Sequence, residues 1–234
     1  MSTSYVSTRN TSKTWSFEQV VFQGLAPDGG LFVPDKIPNL PSNYLTAWRH
    51  LNYKELCFVI LSLYIPQHEI PSKKLKALID KTYASSFRHE DIAPVKSMAS
   101  VEGKPVYMLE LFHGPTFAFK DIALQFVGNL FEYFLKRKKN TGGITVLGAT
   151  SGDTGSAAIA GLRGKENIQV FILYPKGKVS DIQEKQMITV LDDNVHNVAV
   201  EVKMEMLNME NILNIWSNIY DDDFRREHSM IVKL

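Results

Sequence analysis

The chain has 234 residues, 44% of them hydrophobic and 22% charged, which supplies a real core for one large or two modest domains and excludes overall disorder. A formal net charge of +1 gives no global reason to expect a nucleic-acid or anionic-membrane partner. A single cysteine, Cys57, excludes a disulfide framework within one chain, apolar runs such as Leu56 to Ile65 are far too short to span a bilayer, and the polar opening Met1-Ser2-Thr3-Ser4-Tyr5 has no signal-like apolar stretch after it, so the cytoplasm is the expected compartment.

In chain order, residues 1–95 hold a turn-rich opening (Pro27-Asp28-Gly29-Gly30, then Pro34, Pro38 and Pro41) and helical patterns over 17–23, 53–64 and 72–85. This predicts a small, mostly helical domain. From Pro94 onward, strands near 105–111, 144–148, 168–174 and 195–201 alternate with helices near 119–138, 154–163 and 180–191, the order of a parallel α/β sheet. Ligands of such sheets sit at the carboxyl ends of strands. The basic run Lys136-Arg137-Lys138-Lys139 reads as a solvated helix end favoured by the helix dipole.

Two segments of this α/β region carry chemistry. In Glu110 to Gln125, ELFHGPTFAFKDIALQ, a short apolar run is followed by the turn residues His113-Gly114-Pro115-Thr116 and then by Phe119, Ile122, Ala123, Phe126, Val127, Leu130, Phe131 and Phe134 at steps of three and four. Lys120 therefore opens a helix with one buried face. Desolvation at such a packed junction favours the neutral, nucleophilic amine that a covalent cofactor anchor needs. An ordinary first-turn surface lysine suits the same position.

The second segment runs Ile144-Thr145-Val146-Leu147, then Gly148-Ala149-Thr150-Ser151-Gly152-Asp153-Thr154-Gly155-Ser156, then Ala157-Ala158-Ile159-Ala160-Gly161. Strand, glycine-rich loop and tightly packed helix follow one another, and free N–H groups at a helix start favour a carboxylate, phosphate or phenolate oxygen. It is neither a Walker A loop nor a Gly-x-Gly-x-x-Gly dinucleotide fingerprint. The same residues also read as a plain strand-to-helix turn with Ser151 or Asp153 as its N-cap. Both segments follow a predicted strand, so they could face one crevice.

Four blocks in order, YVSTRN with GLAPDGGLFVPDKIP, LELFHGPTFAFKDIALQF, GATSGDTGSAAI and FILYPKGKVSDIQEKQM, resemble threonine synthase of the fungal type over residues 5 to 201. The resemblance implies a fold type II pyridoxal-phosphate enzyme, tryptophan synthase beta-like, with a parallel-sheet α/β domain behind a small helical one. It implies pyridoxal 5'-phosphate as cofactor, O-phosphohomoserine and water as substrates, threonine and phosphate as products, and no metal. By the same resemblance Lys120 is the Schiff-base lysine and the α-proton acceptor, and the loop Thr150, Ser151, Gly152, Asp153 and Thr154 lies beside the cofactor ring and receives the substrate carboxylate. His113, Thr116 and Asp121 match the motif around the lysine, with local roles open to each: turn or core histidine, cap, first-turn carboxylate.

After Glu201 the resemblance breaks, where the sequence runs Val202-Lys203-Met204-Glu205-Met206-Leu207-Asn208-Met209, and it returns briefly at Asp221 to Ser229. The expected organisation is therefore 1–95 N-terminal domain, 96–201 first part of the cofactor domain and 202–234 divergent tail, from an interrupted coding sequence, since family chains are about twice this length. The cofactor's phosphate cup comes from a glycine-rich loop further along the family sequence, so Lys120 is expected without most of its pocket and with sheet edges open. Two other functions stand beside the lyase: a truncated, non-catalytic binding protein, and a different fold type II enzyme such as a serine/threonine dehydratase.

Overall fold

A computed structural model describes residues 3–138, 142–150, 152–201 and 230–233, the last four by their backbone pairing alone. The chain opens with β1 (Tyr5–Ser7), α1 (Phe17–Gln23), β2 (Phe32–Pro34), α2 (Tyr44–Trp48), α3 (Tyr53–Tyr64) and α4 (Ser72–Thr82). Ser16 and Asn52 decide where α1 and α3 begin. Each side chain accepts the third helical N–H, and Gln19 or Glu55 at that position reaches back to the cap residue's own N–H, closing two capping boxes. The buried Glu69 adds a second anchor to α1, accepting from Phe17 N at 3.0 Å and Glu18 N at 2.8 Å. The helices over 17–23 and 53–64 match the expectation, and the third ends at Thr82, short of the expected Ser85. The antiparallel pair β1–β2 was not expected, because three-residue strands are too short to display an alternation.

The strand expected over 105–111 is a correction. It exists as β4 (Tyr107–Leu109), but it pairs antiparallel with β3 (Val95–Ser97) and lies outside the parallel sheet. Glu102 and Gly103 both take positive φ, 51° and 75°, inside the bridge Val101 to Lys104. That is the backbone of a tight hairpin turn, and it folds the chain back on itself.

The α/β layer follows as α5 (Asp121–Arg137), β5 (Ile144–Ala149), α6 (Asp153–Leu162), β6 (Ile168–Pro175), α7 (Asp181–Ile188), β7 (Val195–Val200) and β8 (Met230–Lys233). The four strands form one parallel sheet in the order β7-β6-β5-β8, with Ile144 opposite Ile168 and Met230. Alternate residues of β5 and β6, including Ile144, Val146, Ile168, Val170 and Ile172, are fully buried. On α5 the buried apolar stripe is Phe126, Leu130, Phe131 and Phe134; Phe119 and Ala123 are exposed, contrary to expectation, because Phe119 precedes the helix and Ala123 lines a groove at its start.

Gly128 and Gly161 bring α5 and α6 together backbone to backbone. A Cβ on Gly128 would sit 2.1 Å from the Gly161 carbonyl oxygen, and one on Gly161 would sit 2.5 Å from that of Leu124. The core is continuous from Phe22, Ile70, Leu75 and Ile79 through Phe131 and Phe134 to Ile144, Ile159 and Ile172. Phe22 and Phe131 stack with ring centroids 5.7 Å apart. Cys57 is half-buried, and burial pushes its thiol up to about 11, which leaves it in the thiol form at neutral pH. No helix among the described residues is long and apolar enough to cross a membrane.

A polar clamp ties the helical part to α5. Asn129 donates to Thr82 Oγ1 at 2.9 Å and accepts from Lys165 Nζ at 2.8 Å. Beside it, Glu132 bonds Lys81 and Lys136 and lies 3.8 Å from Lys165. Burial opposes the charge on Glu132, but the Lys81 and Lys136 hydrogen bonds and the neighbouring ammonium groups win, and its carboxyl is lowered from 4.5 to about 2. For a depressed acid the stabilisation is present above the unfolded value and is lost as pH falls through the folded one. Glu132→Gln should therefore unfold in urea about 2 kcal/mol more easily than the parent at pH 7, with the gap closing as the pH falls from 4.5 to about 2.

Candidate functional site

The glycine loop is organised by one hydroxyl. Thr150 N extends the sheet by donating to Leu173 O at 2.9 Å, and Thr150 Oγ1 then accepts from Gly152 N and Gly155 N, each at 3.2 Å. Helix α6 starts at Asp153 with Gly152 as N-cap and no side-chain cap of its own. Asp153 is thus the first helical residue and not the cap, and the oxygen that satisfies the third helical N–H comes from Thr150, two residues before the cap. Ser151 lies outside the described residues. Gly155 has no room for a side chain: a Cβ there would meet Thr150 Cγ2 at 2.5 Å and Met187 Sδ at 2.8 Å.

Lys120 is the N-cap residue of α5, and its Nζ lies 2.7 Å from Asp153 Oδ1. The two motifs therefore meet. They do so by the pairing of α5 with α6, since β4 is not a strand of the parallel sheet. The lysine side chain is 29% exposed and that of Asp153 40%, so the amine is held by a carboxylate at the rim of a groove, where desolvation at a packed junction was expected. The groove, about 470 Å³, is lined by Leu111, Phe119, Lys120, Ile122, Ala123, Leu124 and Thr154. Lys120 and Thr154 thus line one groove, Asp153 meets it at the lysine amine, and the N-terminus of α6, whose first-turn N–H groups no intrahelical carbonyl takes, starts at that contact.

The turn before Lys120 is more heavily built than its sequence indicated. Asp121 is fully buried and accepts from Thr116 N at 2.8 Å and Thr116 Oγ1 at 2.7 Å. Thr116 is not a helix cap; it is the donor to this carboxylate. Burial raises the Asp121 carboxyl above its usual 3.8, the Thr116 hydrogen bonds pull against that, and the charge on Asp153 adds to the rise. Phe117 takes φ 63° under the guanidinium of Arg88, which lies 4.2 Å from the ring centroid. Gln186 of α7 donates to Thr116 O at 3.3 Å. His113 is a turn histidine, 2.8 Å from Glu110 Oε2, with its ring tilted against that of His89 at 5.0 Å between centroids. Arg88 and Gln186 had no signal in the sequence, but a threonine directly after Gly-Pro and five residues before an aspartate was a visible one for the Thr116–Asp121 pair.

Thr150→Val leaves the Gly152 and Gly155 N–H groups without their acceptor, and a denaturant titration should record a loss of about 1 kcal/mol that Thr150→Ser largely avoids.

A family model described as threonine synthase N terminus matches residues 4–83. The chain is 55% identical over 203 residues to threonine synthase of Schizosaccharomyces pombe, covering 84% of this chain and 38% of that one. It matches the crystal structure of threonine synthase from yeast with a TM-score of 0.86 and 47% identity, over 99% of this chain and 46% of that one. Against the crystal structure of PLP-bound threonine synthase from Brucella melitensis the TM-score is 0.84 at 33% identity, over 100% of this chain and 47% of that one. The chain thus spans between 38% and 47% of the length of these relatives.

Proposed function

This chain belongs to the threonine synthase family and spans roughly the N-terminal half of its full-length members, and from that premise we propose that it carries the lysine-bearing part of a pyridoxal-phosphate lyase that turns O-phosphohomoserine and water into threonine and phosphate. The observation that carries this reading is the 2.7 Å contact between Lys120 Nζ and Asp153, which joins the lysine segment to the glycine loop beside an apolar groove. A lysine amine next to an apolar groove and a helix N-terminus is the donor set that a flat aromatic aldehyde bearing an anionic oxygen requires. The residues present fit that end of the cofactor.

In this reading Lys120 would hold the cofactor through Nζ, and the same atom would take and return the α-proton of the substrate. Pyridoxal phosphate, when bound, supplies the electron sink that makes that proton removable. Asp153 orients the amine and neutralises it between proton transfers. The first-turn N–H groups of α6, with the loop shaped by Thr150 and Gly152, receive the substrate carboxylate, and Ser151 and Thr154 complete that loop. The apolar groove would cover the side of the amine that faces it. Residues 1–95 serve as the N-terminal domain, 96–201 as the first part of the cofactor domain and 202–234 as the divergent tail.

A second reading is a non-catalytic form that binds without turning over. One assay separates them. Purified chain with added pyridoxal phosphate should develop a cofactor absorbance band that Lys120→Ala abolishes, and should release phosphate from O-phosphohomoserine. A band without phosphate release supports the binding form, deamination of serine or threonine without phosphate release supports a dehydratase, and a band that survives Lys120→Ala removes Lys120 from the reading.

A further inference from the structure

A buried carboxylate next to the key lysine has no assigned work. Asp121 is 0% exposed, and a charge so placed is costly unless it is well bonded. Both its oxygens are turned back across the preceding turn to one residue: Oδ2 takes Thr116 N and Oδ1 takes Thr116 Oγ1. The main chain of Gly114 lies directly against the same carboxylate, so closely that a Cβ on Gly114 would come within 2.4 Å of Asp121 Oδ2. Between Thr116 and Asp121 the chain passes through Phe117 in the left-handed region, φ 63°, a conformation a bulky residue keeps only where its surroundings impose it. Arg88 completes the enclosure, donating to Gly114 O at 3.3 Å and lying over the Phe117 ring.

We infer that Asp121 is the positioning residue of Lys120: by closing the turn from Gly114 to Asp121 through Thr116, it fixes the backbone of the intervening lysine and so sets where the amine points. Lys120 is the last residue inside that closed turn, and its Nζ reaches Asp153 from there. Asp121 touches neither the amine nor the groove. It acts on the lysine through the backbone alone. The inference rests on the functional reading above for its importance, but the geometry can be tested without cofactor.

The test is competitive trace acetylation of the full chain with acetic anhydride, read lysine by lysine by mass spectrometry. Lys178, which is exposed, is the reference, and Lys165, whose side chain is 14% exposed, reports opening of the fold. In the parent, Lys120 should react slowly because its Nζ is held against Asp153 Oδ1. Asp121→Ala and Thr116→Val should each raise acetylation of Lys120 by about threefold or more while Lys165 stays protected. Asp121→Asn and Thr116→Ser, which keep a partner across the turn, should stay near the parent. If Asp121→Ala also exposes Lys165, the threonine pair decides: a rise at Lys120 alone in Thr116→Val, reversed in Thr116→Ser, supports the inference. Unchanged Lys120 reactivity in Thr116→Val overturns it. Absence of a cofactor band in the parent would count against the lyase reading and leave this result standing.

Discussion

The close contact of α5 and α6 at Gly128 and Gly161 sets the geometry on which the site depends. Neither glycine can carry a side chain without displacing a backbone carbonyl, so the spacing of the two helices is set by main-chain atoms, which cannot repack as side chains do. Eight residues separate Lys120 from Gly128, and eight separate Asp153 from Gly161, about 12 Å of helix in each case. The contact therefore lies within about two turns of both helix starts and brings those starts side by side. Lys120 and Asp153 meet as a consequence, with no strand of the parallel sheet leading directly to the lysine.

Around that meeting point two carboxylates have opposite environments. Asp153 is open to solvent and spends its charge on the amine, while Asp121, the next residue after the lysine, is buried and turned away toward Thr116. The division keeps one negative charge at the amine and uses the other to hold the backbone. Thr150 plays the comparable part on the α6 side: its hydroxyl bonds two N–H groups of the glycine loop. Each half of the site is thus braced by a threonine one turn away from the residue that faces the groove.

Much of this was legible in the sequence, for identifiable reasons. Ser16 with Gln19 and Asn52 with Glu55 are local signals, complete within four residues, and the helices they start lie where the pattern put them. The buried strands β5 and β6 are long enough to be seen as apolar runs between glycine and turn residues. The four ordered blocks identified the family. The hairpin β3–β4 was misread because Glu102-Gly103 was passed over as a turn, and a single apolar run does not reveal which neighbour it will pair with. The pairing of Lys120 with Asp153, 33 residues apart, depends on a helix crossing, and the role of Gly128 in that crossing becomes visible only when Gly161 is known to face it.

The central claim is that helix spacing places Lys120 against Asp153, and zero-length carbodiimide cross-linking followed by peptide mass spectrometry measures it directly, since that reagent joins only an amine and a carboxylate already in contact. The account predicts a Lys120–Asp153 amide in the native chain and its loss in Gly161→Val at a mild reagent dose, under conditions where the Lys81–Glu132 product persists. Absence of the Lys120–Asp153 product in the native chain, or an equal yield of it in Gly161→Val, would contradict the account.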